Sequence, residues 1–315
     1  MTVIDTHDHK PVRALTPAQL KDLSIRANLP GLVRSLSHFG AILIVGTAVW
    51  LTVTRFGAIW ALPLVAIQGY LIAFLFMPVH EAAHKTVFTS RVANEILGHL
   101  SSLLIIHPYE HYALFHWDHH RFTQDPARDP ELVTATIPTS DTKLAIAYTG
   151  IVQLINRIRL LFRRAISGRA VAPWIPENKQ NLVVREARVY ALVYLLLLAG
   201  SIMLQTTVLL WCWMLPLVVG QLFLRPYLYA EHTGCEHTRS AYENTRTTYT
   251  GAVMKWFTWN MPFHVEHHAY PSVPFHALPK LNAIVDDRIR HRGLGYHRVH
   301  RETFAWFRRA RQRDA

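Results

Sequence analysis

The sequence predicts an all-α integral membrane protein, with four transmembrane helices in two hairpins and a helical cytosolic cap. Three observations predict it. Long apolar runs carry no charge, Lys and Arg crowd to one side of those runs, and eight of the 20 His residues fall in three short clusters. Composition excludes other classes. Half of the 315 residues are apolar and 11% are aromatic, too many for a disordered chain. Two Cys cannot build a disulfide framework, a Cys-rich zinc site or an iron–sulfur cluster. The net charge of +12 and the pI near 10 ordinarily suggest nucleic acid or an anionic membrane surface. The mean hydropathy of +0.12 is modest for a membrane protein and calls for a large polar portion beside the spans.

The N-terminal stretch MTVIDTHDHKPVRALT has no apolar core of the kind a cleavable signal peptide needs. The first span is expected at about 35–54, a run with no Asp, Glu, Lys or Arg, long enough to cross a bilayer. Arg55 and Gly57 interrupt it, with Trp50 and Trp60 flanking the turn as interfacial aromatics do. The second span follows at about 57–79 and ends at Met77-Pro78. Residues 189–224 are uncharged throughout, too long for one span; the polar turn Gln205-Thr206-Thr207 divides them into spans at about 189–204 and 208–228. A soluble helical core rarely sustains such runs. The outer turns hold one basic residue, Arg55, and the other 32 Lys and Arg fall on the opposite side if both termini are cytosolic. That is a positive-inside pattern.

Between and after the hairpins lies the cap, 80–188 and 229–290, followed by a basic tail, 286–315; the last 35 residues of the chain hold nine Arg, Trp306 and Phe307. The whole chain, 1–315, reads as one domain. Ile96 to Ile106 is apolar but too short to span, which predicts a buried or re-entrant helix. Residues 143–164 mix apolar positions with Arg157, Arg159, Arg163 and Arg164 and predict an amphipathic helix on the inner surface. Asp125 to Pro130 and Ala172 to Pro176 read as loops. The tail is assigned to a membrane or protein partner rather than to nucleic acid.

The His clusters carry the chemistry. His80 and His84 are spaced i, i+4 at the inner end of the second span; His116, His119 and His120 form one H-x-x-H-H triplet and His264, His267 and His268 another. On a helix these spacings fall on one face, so each triplet can present three nitrogens together. Pro108 and Pro126 bracket the second cluster; Asn260, Pro262 and Pro271 bracket the third. Imidazole is the commonest transition-metal ligand at neutral pH. Eight ligands exceed one metal's needs, so a di-metal site is expected. Ligand type alone suits iron and also admits zinc, copper or nickel. His80-Glu81-Ala82-Ala83-His84 matches the H-E-x-x-H motif of zinc peptidases as well, with Glu81 as general base. A peptidase leaves the two triplets without a role. A membrane metal store or transporter would place ligands inside the spans, where no cluster lies.

The boxes in this order, between two hairpins, resemble the membrane fatty acid desaturase family, from about residue 38 to about 285. The strings HHRFTQDPARDPEL and WNMPFHVEHHAYPSVPFHALP resemble its bacterial members. The resemblance implies two non-haem irons with O2 as co-substrate, acting on an unactivated C–H bond of a lipid acyl chain. A second hydrogen removal gives an alkene and oxygen rebound an alcohol, so a lipid or carotenoid hydroxylase or ketolase is the alternative. It also implies a ninth ligand after the last span, for which His232 is favoured and His237 is the reserve. Glu81, Asp118, Glu231 and Glu266 are candidates to fix imidazole tautomers, with Asp125, Arg128 and Asp129 as a possible supporting network. Trp117, Tyr112, Trp256 and Trp259 are candidate lining residues. The remaining His (7, 9, 38, 99, 107, 111, 276, 291, 297 and 300) read as ordinary, with His107 and His111 the nearest to exceptions. Cys212 and Cys235 read as unpaired thiols, too far apart along a continuous helix to bridge. With no dinucleotide fingerprint, Cys set or haem motif in the chain, a separate electron donor such as ferredoxin or a small cytochrome is expected on the basic face. The excess of Arg over Lys, 26 to 7, suggests a bacterial source and hence the cytoplasmic membrane, and the positive-inside pattern puts both termini and the site on the cytosolic side.

Overall fold

The first uncharged run belongs to a longer helix than its composition marks. In the computed structural model, which describes residues 14–313, α1 (Pro17–Leu23) leads into α2 (Asn28–Phe56). At 29 residues α2 is about 43 Å long. It ends at Gly57, whose φ of +98° reverses the chain into α3 (Ala58–Ala73) and then α4 (Phe76–Ala83). The break between α3 and α4 falls just before Pro78, which has no N–H to offer the carbonyl of Phe74. By length and composition two helices, Asn28–Phe56 and Ala58–Ala83, can cross a membrane. His7 and His9, and the last two residues of the basic tail, lie outside the described residues.

The cap opens with α5 (Arg91–Leu104) and α6 (Tyr109–Phe122), then the one-turn α7 (Pro130–Val133). The expectation of a buried helix at 96–106 is half met. The face of α5 that turns inward carries Asn94, Leu97, Gly98, Ser101 and Ser102, whereas Val92, Ile96 and Leu100 are exposed. An apolar face turned outward suits contact with lipid.

The single amphipathic helix expected at 143–164 is two, α8 (Asp141–Tyr148) and α9 (Ile151–Ser167), bent by 60°. Gly150 makes the bend. Its φ is +68°, and a Cβ there would meet Arg225 and Gln221 at 2.9 and 3.1 Å. If this bent pair formed one span, the crossing helices would number three.

The third and fourth expected spans fall in α10 (Glu177–Met203) and in the helix from Leu210 to His232, whose first turn, Leu210–Met214, is a π-helix and whose remainder is α11 (Leu215–His232). The carbonyl of Cys212 in the π-turn accepts from Gln68 Nε2 at 3.2 Å, which satisfies a backbone group that the widened turn frees. α11 packs along α3, and α3 along α2. The α3–α11 crossing is close: a Cβ on Gly220 would sit 2.3 Å from the carbonyl oxygen of Gly69. Small residues permit such an approach between apolar helices. Both cysteines are free.

After α11 the chain forms α12 (Ala241–Asn244), β1 (Arg246–Tyr249), α13 (Ala252–Phe257), α14 (His264–Ala269), α15 (Leu278–Val285), β2 (His291–Leu294) and α16 (Tyr296–Arg313). β1 and β2 pair in parallel, Arg246 opposite His291 through Tyr249 opposite Leu294. The chain is mostly helical, and this small ladder departs from an all-α reading. It ties the segment carrying α14 back onto α11, through Arg246, whose guanidinium donates to the carbonyls of Ala230 and Thr233. The main apolar core runs from α3 and α4 through Tyr109, Tyr112, Trp259, Phe275 and Leu281, and the His clusters lie within it.

Candidate metal centre

Three elements aim imidazoles at one volume. The end of α4 supplies His80 and His84, α6 supplies His116, His119 and His120, and α14 supplies His264, His267 and His268. α6 begins at Pro108 and is held at its N-terminus by Glu186, which accepts from the N–H groups of Glu110 and His111 at 2.8 and 3.2 Å. α14 starts directly at His264 and stops before Pro271, so all of its first turn is committed to the site.

The nitrogens fall into two groups. His80, His84, His116, His120 and His267 each bring one nitrogen within 4.8 Å of all the others, and so do His119, His232 and His268. The Nε2 atoms of His80 and His267 are 2.7 Å apart, those of His84 and His116 2.8 Å, and those of His120 and His267 3.0 Å. In the second group, His232 Nε2 lies 3.3 Å from His119 Nε2 and 3.1 Å from His264 Nε2. His264 therefore joins the second group through His232. The triplets do not act as units, as the expectation of three nitrogens presented together had it. On α6, His116 and His120 are four apart and share the first group, while His119 turns to the second. On α14, the adjacent His267 and His268 point into different groups.

His232, at the end of α11, is buried among these rings, and its Nδ1 lies 3.2 Å from the carbonyl oxygen of Asn244. His237 stands apart, with Nδ1 2.9 Å from the carbonyl oxygen of Gln124.

The carboxylates next to the His in sequence take other partners. Glu81 accepts from the Thr86 hydroxyl, Glu266 from Thr247 Oγ1 at 2.6 Å and from Asn282, and Asp118 lines an open cleft. Of the four, Glu231 alone approaches an imidazole, 3.5 Å from His264 Nδ1. The carboxylate that holds a ring is Asp129, fully buried, 2.9 Å from His119 Nδ1 and accepting also from the N–H groups of Gln124 and Glu131. Asp125 and Arg128 pair with each other at the surface, at 2.6 Å. Other contacts had no signal in the sequence: Thr123 Oγ1 is 3.2 Å from His268 Nδ1, and Thr245 Oγ1 is 3.4 Å from His232 Nδ1. Tyr112, a candidate lining residue, stacks on His116 and places its hydroxyl 3.3 Å from His80 Nδ1. Trp117 donates to the carbonyl of Ala83 and packs against His84. Trp259 is fully buried and donates to His38, and Trp256 lies under Arg34; both are structural.

The electrostatics favour neutral rings. Burial holds His84 and His232 at about 3 and puts His116, His120, His264, His267 and His268 well below the ordinary imidazole range, with neighbouring imidazoles adding to the effect in the last five. His119 differs. Burial opposes its charge, but Glu131 and the hydrogen bond to Asp129 outweigh it and raise its pKa.

Neutral imidazoles whose lone pairs converge, with one ring nitrogen free for an outer partner, fit transition-metal ions. His268 Nε2 is buried and has no protein partner among the described residues. A buried nitrogen of that kind is costly unless a ligand meets it. The two groups fit two ions. A peptidase would keep Glu81 beside a metal-bound water, whereas here its neighbour is Thr86.

Comparison with known proteins agrees with the site. A family model described as fatty acid desaturase matches residues 57–300. A sphingolipid delta(4)-desaturase of Drosophila melanogaster is 28% identical over 227 residues, covering 68% of this chain and 62% of that protein. The chain thus spans less than two thirds of the length of that curated relative.

Proposed function

The chain belongs to the fatty acid desaturase family, and from that premise we propose that it is an oxygen-dependent di-iron oxidoreductase that introduces a double bond into a lipid acyl chain. The observation that carries this reading is the convergence of eight imidazoles into a group of five and a group of three, with His264 beside the second. Two redox-active irons, when bound, would supply the dioxygen chemistry needed to attack an unactivated C–H bond. His80, His84, His116, His120 and His267 would hold one, and His119, His232, His264 and His268 the other.

The protein's own residues do three things. Asp129 and the carbonyl of Asn244 take the Nδ1 side of His119 and His232, which leaves each Nε2 free to bind. The packed core buries most of the rings and leaves His120 and His268 partly open. A cleft of about 510 Å³ beside His120, lined by Leu114, Trp117, Asp118, Arg121 and Trp174, offers substrate an approach.

The proposed topology has four spans, α2, α3 with α4, α10, and the helix from Leu210 through α11, in a single domain. Exposed Leu192, Leu195, Leu196, Leu198 and Ile202 on α10, and Leu210, Val218 and Leu222 on its partner, support the second hairpin. The cap and its His then face the cytosol, where a separate acidic donor would dock on the basic face. Steered association of that kind weakens with salt. Turnover with a soluble ferredoxin or cytochrome donor is expected to fall as ionic strength rises, and a flat response would remove the docking surface.

The test of function is to purify the protein and measure metals, then to profile lipids in cells with and without it. About two irons per chain and new acyl double bonds are expected. One zinc with no iron, or lipids unchanged on expression of the iron-loaded protein, would overturn the reading.

A further inference from the structure

Away from the metal centre, a second concentration of polar groups lies between α9, α10 and the start of α6. Arg157 and Arg164 from α9 and His107 and His111 from the turn into α6 line one cavity, walled by Leu161 and Val183. Arg164 is 5% exposed and its guanidinium makes no hydrogen bond or ion pair among the described residues. Arg157 donates to Gln221 Oε1 at 3.0 Å, yet its Nε is buried with no partner, as is His107 Nδ1. A third guanidinium, that of Arg225, adds positive charge beside Arg157. The nearest carboxylate to Arg164, Glu186, is occupied by the N–H groups of Glu110 and His111 and lies beside His99.

Buried cations that have one shared carboxylate between them are costly, and the unpartnered buried nitrogens of Arg157 and His107 add to that cost. Two arginines and an unpartnered imidazole nitrogen lining one void point to an acceptor-rich anion. Guanidinium matches phosphate and carboxylate oxygens in geometry. The cavity measures about 30 Å³, against about 510 Å³ for the cleft beside His120. A single water takes roughly 10–15 Å³ on that scale, so the void has room for the charged oxygens of one phosphate group reaching in from its mouth and none for an acyl chain. Its position suits a membrane head group. Val152, Ile155 and Ile166 on α9 are exposed apolar residues, so α9 can lie in the bilayer surface with these arginines at head-group depth. Basic pockets between helices on the cytoplasmic side recruit anionic lipid heads.

We propose that this cavity is a phosphate-binding site that takes the charged oxygens of an anionic phospholipid's phosphodiester or of free phosphate, and that it is separate from the metal centre. None of its residues belongs to the two imidazole groups.

The test uses the full-length protein in neutral detergent and follows its thermal unfolding midpoint. Phosphatidylglycerol in mixed micelles, inorganic phosphate, and chloride at matched ionic strength are titrated separately. A saturable rise with phosphatidylglycerol alone identifies a lipid head group, and an equal rise with inorganic phosphate identifies a free oxyanion; chloride is expected to do neither. Arg164→Gln should weaken half-saturation at least tenfold, whereas Arg159→Gln, an exposed position on the same helix, should leave it unchanged. Arg164→Lys, which keeps the charge and loses the fork, should fall between them and serves if Arg164→Gln does not fold. The proposal is overturned if the unmodified protein shows no saturable response to either phosphate probe. Equal weakening by Arg159→Gln and Arg164→Gln, or none by either, overturns it as well.

Discussion

His119 reaches Asp129 through Nδ1 at 2.9 Å, and that contact leaves its Nε2 facing His232. Outer partners of this kind typically change metal affinity or activity by about 10–100-fold when removed. Asp129→Ala is therefore expected to lower metal retained per chain by at least about tenfold, with helix content preserved, as read by metal analysis and circular dichroism of the same sample. Full metal loading of that variant would show that Asp129 has no such role. The sequence disclosed the ring-bearing residues because covalent spacing alone decides which side of a helix they share. It named Asp129 and Glu231 among its candidate outer partners, but could not say which candidates would meet a ring. Glu81 and Asp118 are neighbours of His in the chain, but adjacent positions on a helix diverge by about 100°, so proximity in sequence implied divergence in space. Asp129 comes instead from a loop ten residues beyond His119, where only tertiary packing decides. The same burial makes a pH prediction for metal-free protein. His84 and His232 have folded pKa values near 3, below the unfolded value of about 6.5. The unfolded chain then binds more protons between those limits, so stability is full above about pH 6.5 and falls as pH drops. The unfolding midpoint of the metal-free protein should hold from pH 7.5 to about 6.5 and decline from there to pH 5. A midpoint that is constant or rises over that range would contradict neutral, buried rings.

At the scale of elements, the site depends on how α3, α4 and α11 are locked together. α3 carries α4 and thus His80 and His84, while α11 ends in His232. The two are registered where Gly69 meets Gly220. Gly220→Ala introduces a Cβ 2.3 Å from the backbone of Gly69, and overpacking of a tight contact costs about 1–3 kcal/mol. The variant should unfold at a lower temperature in detergent and retain less metal. Gly40→Ala on α2, where a Cβ meets nothing within 4 Å, is the matched control and should be neutral. Equal midpoints for the two variants would remove the crossing from the account. The helices themselves were legible from uncharged runs, but their ends were not. α2 begins at Asn28 and α10 at Glu177, both upstream of the apolar stretches, because polar turns extend a helix without any hydropathy signal. The break at Gly150 and the pairing of β1 with β2 were illegible for a related reason. One depends on the approach of Arg225, the other on a strand more than forty residues away.

For the molecule as a whole, charge and apolar surface divide along one axis. The turn at Gly57 and the turn at 204–207 lie at the far ends of the two helical pairs from the His. Arg55 is the one basic residue beside those turns, and in the proposed topology the remaining described Lys and Arg fall on the other side. Under the proposed topology the +12 net charge falls on the inner side of the membrane, which accounts for it without nucleic acid. The clustering of the His, rather than their number, pointed to metal. His38, His99 and His237 are as fully engaged as the ligand candidates, but by backbone, tyrosine and carboxylate groups. The proposed orientation makes the final prediction. In a background with Cys212→Ser and Cys235→Ser, Thr207→Cys places an exposed thiol in the second outer turn, and Ser272→Cys places one just beyond α14. A membrane-impermeant maleimide should label the first variant in intact cells and the second only after permeabilisation. Both thiols reacting in intact cells, or the reverse order, would place the metal centre on the other side of the membrane. A donor confined to the cytosol could not then reach it.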